Sequence, residues 1–210
     1  MQKTDIYILG VGANTIVTAD LAEACGYCVA GLYHYLPDRI GETVFGHTIV
    51  GCTDELFSRD ITGMNFALSM GDNDIRAALF DKIKEHGGLL PALVHPTASM
   101  SKYSSLADGV HIYAGTVVNA DVEIGCDTIL LDNCTVLHAS RLGSHCTIAP
   151  AAVVGARTTV GDYAFIGMNA TVISTKVGTI GKRAVIGAGA VVTRAVADGQ
   201  TVAGVPARPL

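Results

Sequence analysis

Tryptophan is absent from this chain of 210 residues, and only 6% of the residues are aromatic. The 14 basic side chains are outnumbered by 19 acidic ones, and a net charge of −5 argues against a nucleic-acid-binding surface. No apolar run is long enough to cross a membrane, and the stretch 6–9 is too short for a signal peptide. We therefore predict a cytoplasmic protein that neither binds nucleic acid nor inserts into a membrane.

The six cysteines follow no disulfide or metal-binding pattern. Cys25 and Cys28 form a single Cys-x-x-Cys pair, whereas a four-cysteine zinc site needs two such pairs. Cys134 and Cys146 occupy positions that the repeat described next predicts to be buried, where a thiol behaves as a small apolar group. We predict no metal site.

The main feature of the chain is a repeat of six residues. From Met100 to Val172 every sixth residue is Met, Leu, Ile or Val, and after a slip of two residues the series resumes at Ile180, Ile186 and Val192. This period fits neither a helix nor an ordinary strand. It is typical of a parallel β-helix, in which three hexads form one coil and stacked coils share a continuous core.

A second register of small residues lies two positions before the aliphatic series. Alternate residues of a strand face the same way, so both registers should point inward. Gly often follows the aliphatic residue, and we expect these glycines to be turn residues with backbone angles that other residues resist. The small register includes Cys134, Ser140, Ala152 and Gly178.

Residues 1–95 have another pattern, which predicts a small α/β domain with parallel strands. A strand, a Gly-rich turn, a helix ended by Gly26 and a second strand form a β–α–β unit. Asp72 is a candidate N-cap for a later helix. The β-helix then occupies 96–193, and 194–210 is a tail that caps or packs along it. The predicted strands are 5–9, 28–33, 66–69 and 89–94, and the later helix is 73–86.

The Gly10-x-Gly12 turn before the first helix suits an anionic ligand, because the amides at a helix N-terminus favour negative charge. A dinucleotide fingerprint would need a third Gly where Thr15 stands, and an acidic residue where His34 and Tyr35 follow the second strand. NAD is therefore disfavoured. A phosphate-bearing ligand and a plain tight turn remain as alternatives.

His138 lies outside both inward registers, two positions after Val136. Acyl transfer needs a base for the acceptor's proton, and His is the usual choice near neutral pH. Turn amides can supply donors for the developing oxyanion. A plain surface role is the alternative for His138, and His111 and His145 compete with it because they also point outward.

The chain resembles the bacterial hexapeptide acyltransferases that modify amino sugars, the sialic acid O-acetyltransferase-like and PglD-type sugar acetyltransferases. The resemblance spans nearly the whole chain. Besides the hexads, the motifs that carry it are 8–12 with 20–23, 71–76, 95–98, 187–193 and 202–208.

The resemblance implies a Rossmann-like N-terminal domain followed by a left-handed β-helix, assembled as a homotrimer with active sites between neighbouring β-helices. It implies acetyl-CoA as donor, a nucleotide-linked sugar as acceptor, and His138 as general base, with an amide near Ala156 holding the oxyanion. The implied acetyl-CoA contacts are Thr147, Ala156, Met168 and Ala188. The implied acceptor contacts are Gly12, Ala13, Asn14 and Gly71.

The chain departs from the family pattern at the base and at the nucleoside. Ala139 stands where relatives carry the Asp or Glu that raises the basicity of the catalytic His, and Leu131 stands where they often have Asn. We expect Asp132 or a residue of a partner subunit to compensate for the missing carboxylate. His34 and Tyr35 replace the usual acidic pair, which argues against uridine recognition.

We therefore predict an acetyl-CoA-dependent acetyltransferase acting on an amino group or hydroxyl of a sugar. One alternative is a non-catalytic trimeric binding or scaffold protein, which the two departures near His138 motivate. Another is an acyltransferase for a small non-sugar metabolite. The identity of the sugar and its nucleotide, and the choice between nitrogen and oxygen, stay open.

Overall fold

The structure, a computed structural model, describes residues 4–210. The chain divides into two compact units, Met1–Leu93 and Val94–Leu210. The first is an α/β unit and the second is a solenoid of short strands.

The N-terminal unit is built on a five-stranded sheet of order β3-β4-β2-β1-β5. Four strands are parallel, and β3 pairs with β4 antiparallel at one edge. The elements are β1 (Thr4–Leu9), α1 (Thr15–Ala24), β2 (Tyr27–His34), β3 (Thr43–Val44), β4 (His47–Cys52), α2 (Thr53–Leu56), β5 (Phe66–Leu68) and α3 (Asn73–Glu85), with a 3₁₀ turn at Pro37–Arg39.

Local sequence explains the ends of both long helices. Gly26, with a φ of 90°, follows α1, and the carboxylate of Asp72 accepts hydrogen bonds from the first amides of α3, which confirms the predicted N-cap. The predicted strand 89–94 is wrong over most of its length. Leu89 makes only an isolated bridge to Asn65, because Pro91 lacks the amide that would continue a ladder.

The solenoid is a parallel β-helix in which each hexad contributes one two-residue strand. Its strands are β6 (Leu93–Val94), β7 (Ser99–Met100), β8 (Ser105–Leu106), β9 (His111–Ile112), β10 (Val117–Val118), β11 (Glu123–Ile124), β12 (Ile129–Leu130), β13 (Thr135–Val136), β14 (Arg141–Leu142), β15 (Thr147–Ile148), β16 (Val153–Val154), β17 (Thr159–Val160), β18 (Phe165–Ile166), β19 (Thr171–Val172), β20 (Thr179–Ile180), β21 (Val185–Ile186), β22 (Val191–Val192), β23 (Thr201–Ala203) and β24 (Arg208–Pro209).

Successive strands join three different sheets, so every third strand pairs in parallel register. The first sheet has the order β22-β19-β16-β13-β10-β7 and the second β20-β17-β14-β11-β8. The third has the order β24-β23-β21-β18-β15-β12-β9-β6. Val118 thus pairs with Val136, and Val136 with Val154, at a spacing of 18 residues.

The two inward registers form a single core along the solenoid. The aliphatic residues from Ile112 to Val192 are buried, as are small residues such as Cys134 and Ala152 between them. Gly178 is an exception to the predicted small register, since it is exposed and has a φ of 69°. Val177 is buried in its place, because the two extra residues of the slip shift the register there.

The turns correct the prediction about glycine. From Leu106 to Ile186 the residue with positive φ is the third after each aliphatic residue, and it is mostly not glycine; Ala139, with a φ of 58°, is one example. The glycines directly after the aliphatic residue, such as Gly143, have no positive φ within residues 4–210. A Cβ on Gly143 would lie 2.7 Å from the backbone nitrogen of Asp162, so these glycines are required by the close approach of the next coil.

Residues 196–209 cover the last strands of all three sheets. Val196 bridges Ile180 of the second sheet, and β23 pairs with β21 of the third. Val191 of the first sheet donates its amide to Gly204 and accepts from the amide of Ala207. Strand β24 then turns back antiparallel on β23.

Candidate functional site

A cleft opens at the carboxyl edge of the N-terminal sheet, between the turn after β1 and the turn after β5. It encloses ≈ 700 Å³. The four residues expected to contact an acceptor, Gly12, Ala13, Asn14 and Gly71, all line this cleft. Ligands of open parallel sheets bind at this edge, so the fold brings the predicted acceptor residues to a suitable position.

The start of α1 forms an open position for an anion on the wall of the cleft. Thr15 closes the turn, since its hydroxyl accepts from the Gly12 amide at 2.7 Å and donates to the Gly10 carbonyl at 3.2 Å. The amides of Ala13 and Asn14 make no hydrogen bond within the described part of the chain. The first turn of α1 also carries no acidic side chain, so its dipole favours an anionic group here.

The start of α3, across the cleft, is already occupied by a negative charge of the chain itself. The carboxylate of Asp72 accepts from the amides of Asp74 and Ile75 at 2.9 and 3.0 Å. Anion binding by backbone amides in this cleft is therefore expected at α1 and not at α3.

The two residues that replace the family's acidic pair have different positions. His34 is buried, and its Nδ1 accepts from the amide of Leu36 at 2.9 Å. Tyr35 is 69% exposed, lines the cleft and has its ring centroid 4.4 Å from that of His34. The cleft therefore presents an aromatic face at this position, on which a nucleobase can stack.

His138 lies in one of the corners that join the first sheet to the second. We call the turns 119–122, 137–140, 155–158 and 173–178 the His138 corner. The imidazole is exposed, and its ring nitrogens make no hydrogen bond within residues 4–210. Ala139 follows it, so no carboxylate stands on the adjacent residue. The side chain is therefore accessible to a proton donor from outside the chain.

Ala156 and Ser174 continue the same corner on the next two coils above His138. The amide of Ala156, expected to hold an oxyanion, donates instead to Oγ of Ser174 at 3.0 Å. Ser174 lies at the two-residue slip. The structure thus places a hydroxyl at the position where this amide would meet an oxyanion.

The two competing histidines are not exposed, contrary to expectation. His111 is 2% exposed and His145 is 8% exposed. Nδ1 of His145 is 3.0 Å from the Asp127 carboxylate, and its ring stacks on Tyr163 at 4.8 Å. His145 lies in a turn and points away from the core, but Asp127 and Tyr163 of the neighbouring coils pack against its ring and exclude water. His111 lies in strand β9 and is also buried. His138 is the one exposed histidine among the three.

Two further classes of feature are missing from residues 4–210. No group of three or more His, Cys, Asp or Glu is placed to hold a metal ion. No helix in this range has the length and apolarity that crossing a membrane requires.

No protein-family model matches the chain. Among solved structures, perosamine N-acetyltransferase from Caulobacter crescentus, in complex with CoA and GDP-perosamine, is 34% identical over 98% of this chain and 96% of its own, with a TM-score of 0.91. It was solved with one histidine replaced by asparagine, and also with that histidine replaced by alanine. The chain belongs to the hexapeptide-repeat sugar acetyltransferases.

A second member of these sugar acetyltransferases agrees over the whole length. The acetyltransferase domain of PglB from Neisseria gonorrhoeae FA1090, in complex with acetyl coenzyme A, is 30% identical over 100% of both chains, with a TM-score of 0.90. WeeI from Acinetobacter baumannii AYE, at 22% identity and a TM-score of 0.86, shares the fold. The short repeated strands fit the left-handed β-helix of this family, and the protein is an acyltransferase.

The residues expected to contact acetyl-CoA in this sugar acetyltransferase lie on different corners of the solenoid. Ala156 is buried in the His138 corner, whereas Met168 and Ala188 are exposed and stacked in the turns that join the third sheet to the first. Thr147 is buried on the third sheet. One chain therefore does not gather these four residues at a single corner.

The expectation that Asp132 compensates for Ala139 within the chain is wrong. Asp132 lies in the turn before β13, and His138 lies in the turn after it. No hydrogen bond or ion pair joins the Asp132 carboxylate to the imidazole of His138 within residues 4–210.

The sequence did not indicate the roles of three residues that lie close to the predicted acceptor and donor residues of this sugar acetyltransferase. Thr15 was noted only as a missing glycine, although its hydroxyl closes the turn below the cleft. Ser174 lies at the slip in the hexads, which was the available signal for a special corner. Arg76 belongs to a family motif and is fully buried, and its guanidinium donates to the Met70 carbonyl at 3.3 Å on the rim of the cleft.

Proposed function

We propose that this acyltransferase moves the acetyl group of acetyl-CoA to an amino group of a nucleotide-linked sugar, with His138 as the general base. The observation that carries the proposal is the 34% identity, over 98% of this chain, to an N-acetyltransferase whose structure holds CoA and GDP-perosamine. The replaced histidine in that structure, and the exposure of His138 here, support the assignment of the base.

The cleft of the N-terminal unit is the proposed acceptor site, with residues 1–95 as a Rossmann-like acceptor domain. The open amides of Ala13 and Asn14 would bind a phosphate of the nucleotide. Gly12 has no neighbour within 4 Å of the position of a Cβ, which leaves room for a ligand beside the turn. Tyr35 would stack on the nucleobase, and Gly71 would contact the acceptor from the opposite wall.

The proposed donor site uses Thr147, Ala156, Met168 and Ala188 and requires more than one subunit. Because the contacts are divided between corners of the solenoid, acetyl-CoA would touch one chain through the His138 corner and a neighbouring chain through the turns of Met168 and Ala188. This supports a homotrimer with a site between each pair of β-helices.

The reaction needs one proton to move from nitrogen to sulfur. The amine nitrogen attacks the thioester carbonyl carbon, and the C=O electrons move to oxygen. The tetrahedral intermediate collapses, the C–S bond breaks and CoA leaves as a thiolate. His138 takes the proton from the attacking nitrogen and passes it to the thiolate, giving an amide and CoA thiol.

The environment of His138 favours nitrogen over oxygen as the acceptor atom. Its ring has no hydrogen-bond partner within residues 4–210, and Ala139 supplies no carboxylate to raise its basicity. An amine needs less activation by a base than a hydroxyl does. N-acetylation is therefore the proposed reaction, and O-acetylation is the alternative.

The reaction is proposed to take place in the cytoplasm. All six cysteines are free thiols, two of them only partly buried and one exposed. Free thiols at accessible positions suit a reducing compartment.

The experiment that tests the proposal is thiol release from acetyl-CoA with a panel of nucleotide-linked 4-amino sugars, free amino sugars and sialic acid. Wild type should turn over one or more nucleotide-linked amino sugars, and His138→Ala should lose this activity. His86→Ala is the matched control, because His86 follows the last turn of α3, about 10 Å along the helix from Leu79, the last α3 residue that lines the cleft.

Each failure has a distinct meaning. Acetyl-CoA binding without turnover of any sugar, but with turnover of a small amine, would replace the sugar by a metabolite. Absence of acetyl-CoA binding would favour a non-catalytic scaffold. Equal activity of wild type and His138→Ala would remove His138 from the mechanism.

A further inference from the structure

Ser174 is hydrogen-bonded to the backbone amide of Ala156, the group that the family resemblance expects to stabilise the oxyanion. Its Oγ accepts from the Ala156 amide at 3.0 Å, so this N–H points at the hydroxyl. A hydroxyl that accepts one hydrogen bond still has its own proton to donate. The Ser174 hydroxyl can therefore donate a hydrogen bond to another oxygen atom, while the hydrogen bond that it accepts from the Ala156 amide polarises its O–H group.

Elsewhere in the solenoid, carboxylates accept the same kind of hydrogen bond from a backbone amide of the coil below. Asp162 accepts from the amide of Ser144 at 2.9 Å, and Asp198 accepts from that of Lys182 at 2.8 Å. In each case a side chain of one coil binds an amide of the coil below. A carboxylate at this position only accepts and would repel an oxyanion, whereas Ser174 combines the contact with a proton that it can donate.

Ser174 also has the right height above the base. His138, Ala156 and Ser174 follow each other on successive coils of one corner, and neighbouring coils are separated by about 4.8 Å. Because Oγ of Ser174 reaches down to within 3.0 Å of the Ala156 amide, it lies between one and two coils above the His138 backbone. A thioester oxygen directed at the Ala156 amide would meet this hydroxyl, because the hydroxyl already accepts the hydrogen bond of that amide.

We propose that the Ser174 hydroxyl, and not the Ala156 amide directly, donates the hydrogen bond to the thioester oxygen; this inference rests on the proposed function. As the acceptor nitrogen attacks, the C=O π electrons move to oxygen, and the Ser174 O–H bond stabilises the negative charge without transferring its proton. When the C–S bond breaks, the oxygen lone pair re-forms the C=O bond and the negative charge leaves with the CoA thiolate, which takes its proton from His138. The Ala156 amide acts through Ser174 by holding and polarising the hydroxyl.

The test compares Ser174→Ala, Ser174→Thr and Asp162→Ala with wild type and His138→Ala in the thiol-release assay. Removing an oxyanion donor costs about 10²–10³ in kcat, and the freed Ala156 amide should recover part of this, so kcat of Ser174→Ala should fall roughly tenfold or more. The KM values for both substrates should stay within about twofold, because the interaction forms only in the transition state. Ser174→Thr keeps the hydroxyl and should stay near wild type.

Asp162→Ala is the matched structural control. It removes the same kind of contact between coils, at a corner away from His138, so it should lower the melting temperature about as much as Ser174→Ala does but leave kcat unchanged. A kcat of Ser174→Ala equal to or above wild type, with His138→Ala inactive, would overturn the proposal and make the hydroxyl an obstacle to the amide. A wild type without thiol release would instead refute the proposed function.

Discussion

Two histidines of the solenoid should respond to alanine substitution in opposite ways. His138 is exposed and makes no hydrogen bond through its ring within residues 4–210, so His138→Ala should cost under about 0.5 kcal/mol of stability. As general base it should cost about 10²–10⁴ in kcat. His145→Ala removes a buried ring from the Asp127 carboxylate and from Tyr163. Loss of this hydrogen-bond partner from the buried Asp127 carboxylate costs about 3 kcal/mol.

For a chain of this size, a loss of about 3 kcal/mol corresponds to a melting temperature lower by roughly 6–12 °C. Thermal unfolding followed by fluorescence of a hydrophobic dye, and thiol release measured at least about 15 °C below the melting point of His145→Ala, separate the two effects. At that temperature His145→Ala should keep its kcat. Activity retained by His138→Ala, or lost by folded His145→Ala, would refute the assignment of the base.

Three further predictions concern the coils and the cleft. Gly143→Ala should lower the melting temperature by roughly 5 °C or more in thermal unfolding, since its Cβ would overlap the backbone of Asp162. Ala151→Gly, at a position with a φ of 58°, should leave the melting temperature unchanged or slightly higher. The opposite order of the two melting temperatures would contradict the turn assignment. Burial raises the pKa of the Cys134 thiol to about 12, so iodoacetamide at pH 8 should not alkylate this thiol in the folded protein. Mass spectrometry of labelled peptides measures the modification, and alkylation of Cys134 without unfolding would disprove its burial. Arg76→Met should raise the acceptor KM about tenfold and leave the KM for acetyl-CoA unchanged, because Arg76 holds the rim of the cleft; equal changes in both would indicate general loss of structure.

The core of the solenoid could be read from the sequence because its information is local and repeated. An aliphatic residue every six positions, with a small residue two before it, leaves one arrangement in which all of them are buried. The N-terminal elements α1 and α3 were predictable for a similar reason, since Asp72 and Gly26 mark helix ends on their own. The four residues expected to contact the acceptor came from the family resemblance, and the rule that turns after parallel strands share one edge explains why they line one cleft.

The corners could not be read in this way, because they depend on contacts between residues 18 positions apart. Oγ of Ser174 binds the amide of Ala156, and Tyr163 covers His145, yet neither contact changes the hexad pattern. A side chain that points away from the core is therefore not necessarily exposed to solvent. For the same reason the backbone role of Gly143 was misjudged, since the neighbour that excludes a side chain belongs to the next coil.

The coverage of the last strands by residues 196–209 has a consequence for how the protein avoids polymerising. A stack of parallel, in-register strands ends in an open edge that can template further strands, as in cross-β fibrils. Here Gly204 and Ala207 satisfy that edge on the first sheet, Val196 on the second and β23 on the third, and β24 reverses direction and carries Pro209. A reversed strand with a proline offers poor pairing to an incoming coil. This segment therefore works as a terminator of growth, which keeps a fibril-like ladder at a fixed number of coils.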